Sequence, residues 1–270
     1  MGLFTTRQLL GYTEQKVKFN PLFLSLFFRR TVTFPTQEVM LDKITGKTPI
    51  AAYVSPVVGG KVLRNRGGET RVLRPGYVKP KHEVNYAQVV ERLPGEDPAR
   101  LNDPAYRRLR ILTDNLKQEE KAIVQVEEMQ AVSAVLNGFK LFREKLDTRR
   151  GSNSQLETAV KDLGAVVSFK GYYGDLAIVV AKTSYVADNG TEKRYLPEGT
   201  LVLGNTAAEG IRCYGAIQDS QALAEGIVAA TRYPKHWLTV GDPANEYTMT
   251  QSAPLMVLPD PDEFVIVTVG

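Results

Sequence analysis

Apolar positions recur most regularly between Asp103 and Leu136. Leu109, Leu112, Leu116, Ile123, Val126, Met129, Val132 and Leu136 are spaced by three, four or seven residues, which keeps them on one face of a helix. Asp103 supplies a capping carboxylate and Pro104 fits the first helical position. No Gly or Pro interrupts the run before Asn137-Gly138 ends it. At 1.5 Å per residue such a helix spans roughly 50 Å, longer than a compact domain of this size needs across its core. Arg107, Arg108, Arg110, Asp114, Lys117, Glu120, Lys121, Glu127 and Glu128 are expected on its solvated faces. The pattern describes a rod with one apolar stripe, built to lie among neighbours.

The flanking segments alternate. Residues 51–90 carry short apolar strands around Gly59-Gly60 and Gly67-Gly68, with Lys61, Arg64, Arg66, Arg71, Arg74, Lys79 and Lys81 opposed up to that point only by Glu69. They predict a long hairpin with a basic edge. A hairpin this polar does not hold itself together, so it should lean on something outside its own fold. Beyond the long helix, helical stretches are expected near 139–147 and 155–163, and strands at 165–169, 176–180 and 201–203. A tight hairpin is expected around Asn189-Gly190, and two apolar strands, 255–258 and 264–269, follow.

The first fifty residues read as an arm. Within it Phe19, Leu22, Phe23, Leu24, Leu26, Phe27 and Phe28 concentrate an apolar patch that must be buried, either in the chain's own core or against another subunit. The run Pro21–Phe28 is too short to cross a membrane.

Composition changes this picture little. The chain has 270 residues, 43% hydrophobic and 24% charged, with a formal net charge of +4. Those values fit a soluble globular protein and permit nucleic acid as a partner without requiring it. The single cysteine, Cys213, excludes an intramolecular disulfide and suits a reducing cytoplasm. Catalytic candidates are few. His82 and His236 are the only histidines; neither they nor Cys213 carry a local signature of nucleophilic chemistry. Cys213 is expected to be a packed side chain and His82 a solvated one. Gly59-Gly60-Lys61-Val62 lacks the spacing and the hydroxyl of a phosphate-binding loop, and no metal-ligand spacing occurs. No catalytic residue, cofactor or metal is expected. Three classes stand at this point: a structural subunit, a nucleic-acid-binding module using the basic hairpin, and an enzyme using Cys213 or His236. Arginine suits carboxylates across a protein interface as well as phosphates.

Particular strings narrow the choice. They are Tyr53-Val54-Ser55-Pro56, the run Gly76–Val84, Asp103–Arg108, Gln125–Leu136, Glu144–Ser154, Val202–Thr206, Gln251–Leu255 and Asp260–Val265. Collinear over nearly the whole chain, they resemble the phage major capsid protein E family, whose members are similar to the Hong Kong 97 type of shell protein. The resemblance implies an α+β, Hong Kong 97-like fold in four parts: an N-terminal arm (1–50), an extended loop (51–90), a peripheral domain with a spine helix (91–140 plus 255–270), and an axial domain (141–254). It implies a head-shell subunit of a tailed double-stranded DNA phage, assembling into the hexamers and pentamers of an icosahedral head. The expected partners are other copies of the chain, a scaffold protein, a decoration protein, the portal and packaged DNA, with no membrane. The expected location is the virion, and the host cytoplasm during assembly. All seven of Arg64, Arg66, Arg71, Arg74, Phe23, Phe27 and Phe28 are expected at contacts between subunits, the arginines as ion-pair donors and the phenylalanines as arm anchors.

One departure stands out. In the family, the spine helix is followed by peripheral strands, an insertion, and the first axial strand and helix. Here Leu136–Lys140 runs almost directly into Leu141–Leu146, so several dozen residues are missing. Their loss should remove partners of the C-terminal strands and weaken the axial core. A compact natural variant, a degraded and assembly-defective prophage copy and an altered sequence all fit this departure.

Overall fold

The computed structural model describes residues 21–45, 67–84, 86–91, 103–137, 167–173, 176–181, 183–187, 189–205, 208–241, 244–259 and 263–268. The expected helices near 139–147 and 155–163 lie outside the described residues, as do Arg64 and Arg66.

The described residues begin with a one-turn helix, α1 (Leu22–Leu26), and a strand, β1 (Arg30–Thr33). A ladder of β2 (Val39–Thr45) and β3 (Gly67–Leu73) follows, then β4 (Lys81–Val84) and a short helix α2 (Tyr86–Val90). The long helix α3 runs from Pro104 to Asn137, as the periodicity predicts. Asp103 Oδ1 accepts from the backbone N–H groups of Ala105 and Tyr106 at 3.0 and 3.1 Å, so the expected cap is present. Strands β5 (Val167–Tyr173), β6 (Leu176–Ala181), β7 (Ser184–Val186), β8 (Glu192–Arg194), β9 (Thr200–Gly204) and β10 (Ile211–Tyr214) come next. The chain closes with helix α4 (Ser220–Ala224) and strands β11 (Tyr233–Leu238), β12 (Glu246–Gln251), β13 (Pro254–Val257) and β14 (Phe264–Thr268).

Two three-stranded sheets organise the described residues. In one, β1 runs parallel to β10, which pairs antiparallel with β13. In the other, β12 lies antiparallel between β11 and β4. The ladders β2–β3, β5–β6, β7–β8 and β9–β14 have two strands each. The Asn189-Gly190 hairpin forms as expected, with Gly190 at φ +76°, a value suited to glycine. The basic ladder starts earlier than the loop boundary read from the sequence: its first strand is β2, within 1–50.

Helix α3 lies against α1, α2, β4, β12 and β13. Its C-terminal half carries the largest core. Ala131, Val132, Ala134 and Val135 pack there with all of α1's large side chains, Phe264 and Leu258. Val179, Ala181 and Val202 add the inner faces of β6 and β9. Phe27 meets the Phe264 ring edge-on, with centroids 4.8 Å apart. Gly210 lies against Phe28 so closely that a Cβ there would fall 2.5 Å from the ring. β11 and β12 fall inside the range 141–254, yet β12 packs on α3 beside β4.

The buried stripe of α3 differs from the hydrophobic one. The buried positions include Arg108, Leu112, Leu116, Glu119, Ile123, Glu127 and Ala131, again spaced by three or four residues. Met129, assigned to the apolar face, is 43% exposed. Arg108, Glu127 and Glu128, assigned to solvent, are buried. The stripe is displaced because the neighbouring strands offer this helix polar partners as well as apolar ones.

Candidate assembly surfaces and the polar seam that holds them

Three groups of charged side chains tie α3 to the surrounding elements. The first lies near its N-terminal end. Arg108 donates from Nε to Glu246 Oε2 at 3.0 Å and from Nη2 to Oε1 at 2.5 Å, and His236 Nε2 meets the same carboxylate. Burial works to raise the pKa of Glu246, but His236 and Arg108 outweigh it and hold it at about 2.

The second group sits mid-helix. Glu119, fully buried, accepts from the Thr248 and Thr250 hydroxyls at 2.7 and 2.8 Å and faces His82 Nδ1 at 3.2 Å. Burial raises its pKa, and those three contacts pull it back. His82 is thus held by the helix, where the sequence suggested a solvated side chain. Beside Glu119, Arg232 pairs with Glu120 at 2.9 Å and, about two turns further along the helix, with Glu127 at 2.7 Å.

The third group fixes the arm. Glu128 accepts the backbone N–H groups of Phe23 and Leu24 at 2.9 and 3.0 Å, meeting the unpaired donors at the start of α1. Burial raises its pKa while these N–H groups lower it. At the other end Arg212 donates to the carbonyls of Phe28 and Leu24 at 2.7 and 2.9 Å. A five-residue helix without side-chain capping of its own is thereby held by an acid at one end and a base at the other.

The residues singled out from the sequence are placed as follows. Phe23, Phe27 and Phe28, expected at a contact between subunits, are buried in the chain's own core instead, because the C-terminal half of α3 supplies the apolar cover they need. Arg71 lies on β3 opposite Leu41. Arg74, largely exposed, donates to Glu38 Oε1 at 2.9 Å from Nε and 2.5 Å from Nη2. On the outer face of the ladder Met40 stands opposite Val72, and both are more than half exposed. Cys213 is buried beside Val39 and Val257, and burial pushes its thiol up to about 11, away from thiolate chemistry. Glu119, Glu128, Arg212, Arg232 and Glu246 were not singled out as site residues. For Glu119 and Glu128 the sequence signal is that charged residues continue the three–four spacing of the buried stripe; Arg212, Arg232 and Glu246, outside the helix, have no local signal.

Among the described residues, no group of His, Cys, Asp and Glu is placed to hold a metal ion. No described helix is long and apolar enough to cross a membrane. Among the described residues the structure offers surface: a partly exposed β2–β3 ladder and a long central helix.

Comparison with known proteins gives this surface a context. The sequence profile described as phage major capsid protein E matches residues 5–141 and 136–269. The chain belongs to that family. It is 69% identical to the P21 prophage-derived major head protein of Escherichia coli O6:H1 strain CFT073 over 341 residues, covering all of both chains. It is 50% identical to the major capsid protein of Escherichia phage lambda over 339 residues, covering 99% of each. A solved prophage capsid protein from E. coli CFT073 superposes with a TM-score of 0.77 at 36% identity, covering 99% of each chain. The architecture is the α+β, Hong Kong 97-like capsid fold.

The missing stretch is visible here too. An alignment 341 positions long leaves 71 positions without a counterpart in a chain of 270. The family match is in two parts that overlap at residues 136–141, where α3 ends.

Proposed function

We propose that this chain is the head-shell subunit of a tailed double-stranded DNA phage, associating with copies of itself as hexamers and pentamers of an icosahedral head. Similarity to head proteins along the full length of the chain carries the proposal. The build of the subunit is consistent with it: a rod of 34 residues locked into flanking sheets, with a ladder that exposes Met40 and Val72 on one face and Arg74 at its end. Each contact between subunits is weak, and repetition over a closed shell makes the assembly stable.

In this proposal the arm, extended loop, peripheral part and axial part divide the labour as the resemblance implies. Residues 233–251 join the peripheral layer through the contact of β12 with α3. Arg64, Arg66, Arg71 and Arg74 reach carboxylates of a neighbouring copy, with Met40 and Val72 covered in the contact that Arg74 makes. Arg74 exchanges or shares its Glu38 partner when it does so. A scaffold protein, a decoration protein, the portal and packaged DNA are the further partners. Assembly takes place in the host cytoplasm and the product is the virion. The subunit acts as a structural component and not as an enzyme. The nucleic-acid-module alternative gains no support from the relatives, which are head proteins.

The test is to express the chain with and without its scaffold protein and examine the soluble fraction by sedimentation and negative-stain electron microscopy. Closed shells are expected. Arg66→Glu should abolish them while leaving the circular dichroism and melting of the unassembled subunit unchanged. Normal shells from that variant would remove the arginine contacts from the proposal. Failure of the parent chain to form any shell would remove the shell function.

A further inference from the structure

The sheet that carries the polar seam has a second face. His82, Thr248 and His236 stand abreast on the side that meets α3. Side chains alternate across a sheet, so Lys81, Met249 and Lys235 stand abreast on the other side, with Glu83, Tyr247 and Trp237 as the next row. The ladder continues back from β4: Val78 pairs with Ser252, and the Thr250 N–H donates to the Pro80 carbonyl at 3.3 Å. Tyr77 and Lys79 therefore extend the same face. Lys79, Lys81 and Glu83 are exposed, and Trp237, Tyr247 and Met249 are half-buried. The lysines are held in place by rings. Lys81 Nζ lies 3.6 Å from the centroid of the Tyr247 ring and 5.2 Å from that of Trp237, and Lys79 Nζ lies 5.5 Å from that of Tyr77. Lys235 Nζ, 5.8 Å from the same Trp237 ring, is taken by Asp219 at 2.9 Å. Among the described residues no carboxylate pairs with Lys79 or Lys81.

We propose that this face is a docking site for an acidic, extended segment of a protein partner, with its carboxylates on Lys79 and Lys81 and an apolar side chain against Trp237. A ring satisfies an ammonium from one side and leaves N–H donors for an anion. A lysine already resting on rings has less rotamer freedom to lose when it binds. Alternate residues of an extended chain rise roughly 7 Å, so carboxylates two residues apart in the partner meet lysines two residues apart here. Tryptophan, tyrosine and methionine are side chains that protein interfaces enrich. Nucleic acid fits this face less well. Lys81 covers the Tyr247 ring on which a base would stack. Glu83 repels a strand that carries a phosphate at every unit, whereas a peptide can confine its carboxylates to the lysine end. The site faces away from the long helix and stands whether or not the chain closes shells.

Trp237 is the only tryptophan in the chain, so its fluorescence reports on this face directly. The unassembled full-length subunit is titrated with the synthetic peptide Glu-Thr-Glu-Thr-Leu-Thr-Leu, with the same peptide carrying lysine in place of both glutamates, and with an oligothymidylate. The glutamate peptide should change the Trp237 emission saturably, and added salt should weaken the effect, because the lysines are exposed. The double variant Lys79→Gln, Lys81→Gln should bind it several-fold more weakly while keeping the melting of the parent, since both side chains lie outside the core. Lys81→Arg, which keeps the charge, should bind it nearly as the parent does. An emission that does not respond to the glutamate peptide would overturn the proposal, as would unchanged affinity in the double glutamine variant. Equal binding of the lysine peptide would remove the recognition of carboxylates. Tighter binding of the oligothymidylate than of the glutamate peptide would overturn the proposal in favour of a nucleic-acid site. Shells seen by electron microscopy alongside a silent Trp237 would sink this site and leave the shell function standing.

Discussion

Replacing Glu246 by glutamine removes one charge from the most completely paired site on the long helix. The side chain is fully buried, takes two N–H groups from Arg108 and meets His236. Its pKa falls from an ordinary 4.5 to about 2 in the folded chain. At about 1.36 kcal/mol per pKa unit, a gap of that size amounts to about 3 kcal/mol of stability at neutral pH. A second route gives a similar figure: removing one partner of a buried ion pair costs about 3–5 kcal/mol, because the other charge stays buried and unmet. In Glu246→Gln the amide keeps the volume, loses the charge and turns an NH2 group toward either Arg108 or His236. We expect a loss of about 3 kcal/mol at pH 7, read from urea denaturation of the unassembled subunit.

The pH dependence is a sharper test. A depressed carboxylate pKa adds stability that is complete above the unfolded value and is lost as pH falls toward the folded one. The difference between parent and Glu246→Gln should therefore be flat from about pH 7 to 5.5 and close steadily below about pH 4.5. A difference under about 0.5 kcal/mol at pH 7, or one as large at pH 3 as at pH 6, would refute the assignment of this stability to the Arg108–Glu246–His236 group.

Other substitutions separate the remaining elements. Glu119→Gln should show the opposite trend: burial raises the pKa of Glu119, so the parent gains stability over the variant as pH falls through the folded value, and a gap that shrinks would contradict this. Glu128→Ala strands the buried N–H groups of Phe23 and Leu24 and should cost about 2–4 kcal/mol, with new proteolytic cleavage in 21–28 detected by mass spectrometry. Val132→Ser should cost several-fold more than Met129→Ser, which should stay within about 0.5 kcal/mol of the parent in thermal melts; equal costs would restore the hydrophobic stripe read from the sequence.

The helix was legible because its ends and its period are local properties: Asp103, Pro104 and Asn137-Gly138 punctuate a run that no Gly or Pro interrupts. The hairpin at Asn189-Gly190 and the strands near 176–180, 201–203 and 264–269 were legible for the same reason. The rotational setting of the helix was not. Hydrophobicity marked Met129 as buried and Arg108, Glu127 and Glu128 as solvated, whereas burial here is decided by Glu246, Arg232 and the N–H groups of α1, which lie about a hundred residues or more away in sequence. The pairing of β2 with β3 was missed because its first strand precedes the Gly-rich segment that drew the boundary. The arm's aromatic patch was recognised as needing cover; that its own α3 provides the cover depends on Glu128 and Arg212, whose contacts with α1 have no local sequence signal.

The polar seam also explains how a rod can hold one register over its sheets. Contacts between aliphatic side chains are non-directional and tolerate sliding along a helix axis. Bidentate and hydroxyl–carboxylate bonds do not, because their strength depends on distance and angle. A slip of one turn, about 5.4 Å, would leave the aliphatic stripe largely in contact but would separate Arg108 from Glu246 and Glu119 from Thr248 and Thr250. Each separation would leave a buried charge without its partners, at a cost of several kcal/mol. The apolar side chains of α3 therefore supply adhesion, and the charged residues distributed along it from Arg108 to Glu128 fix its position.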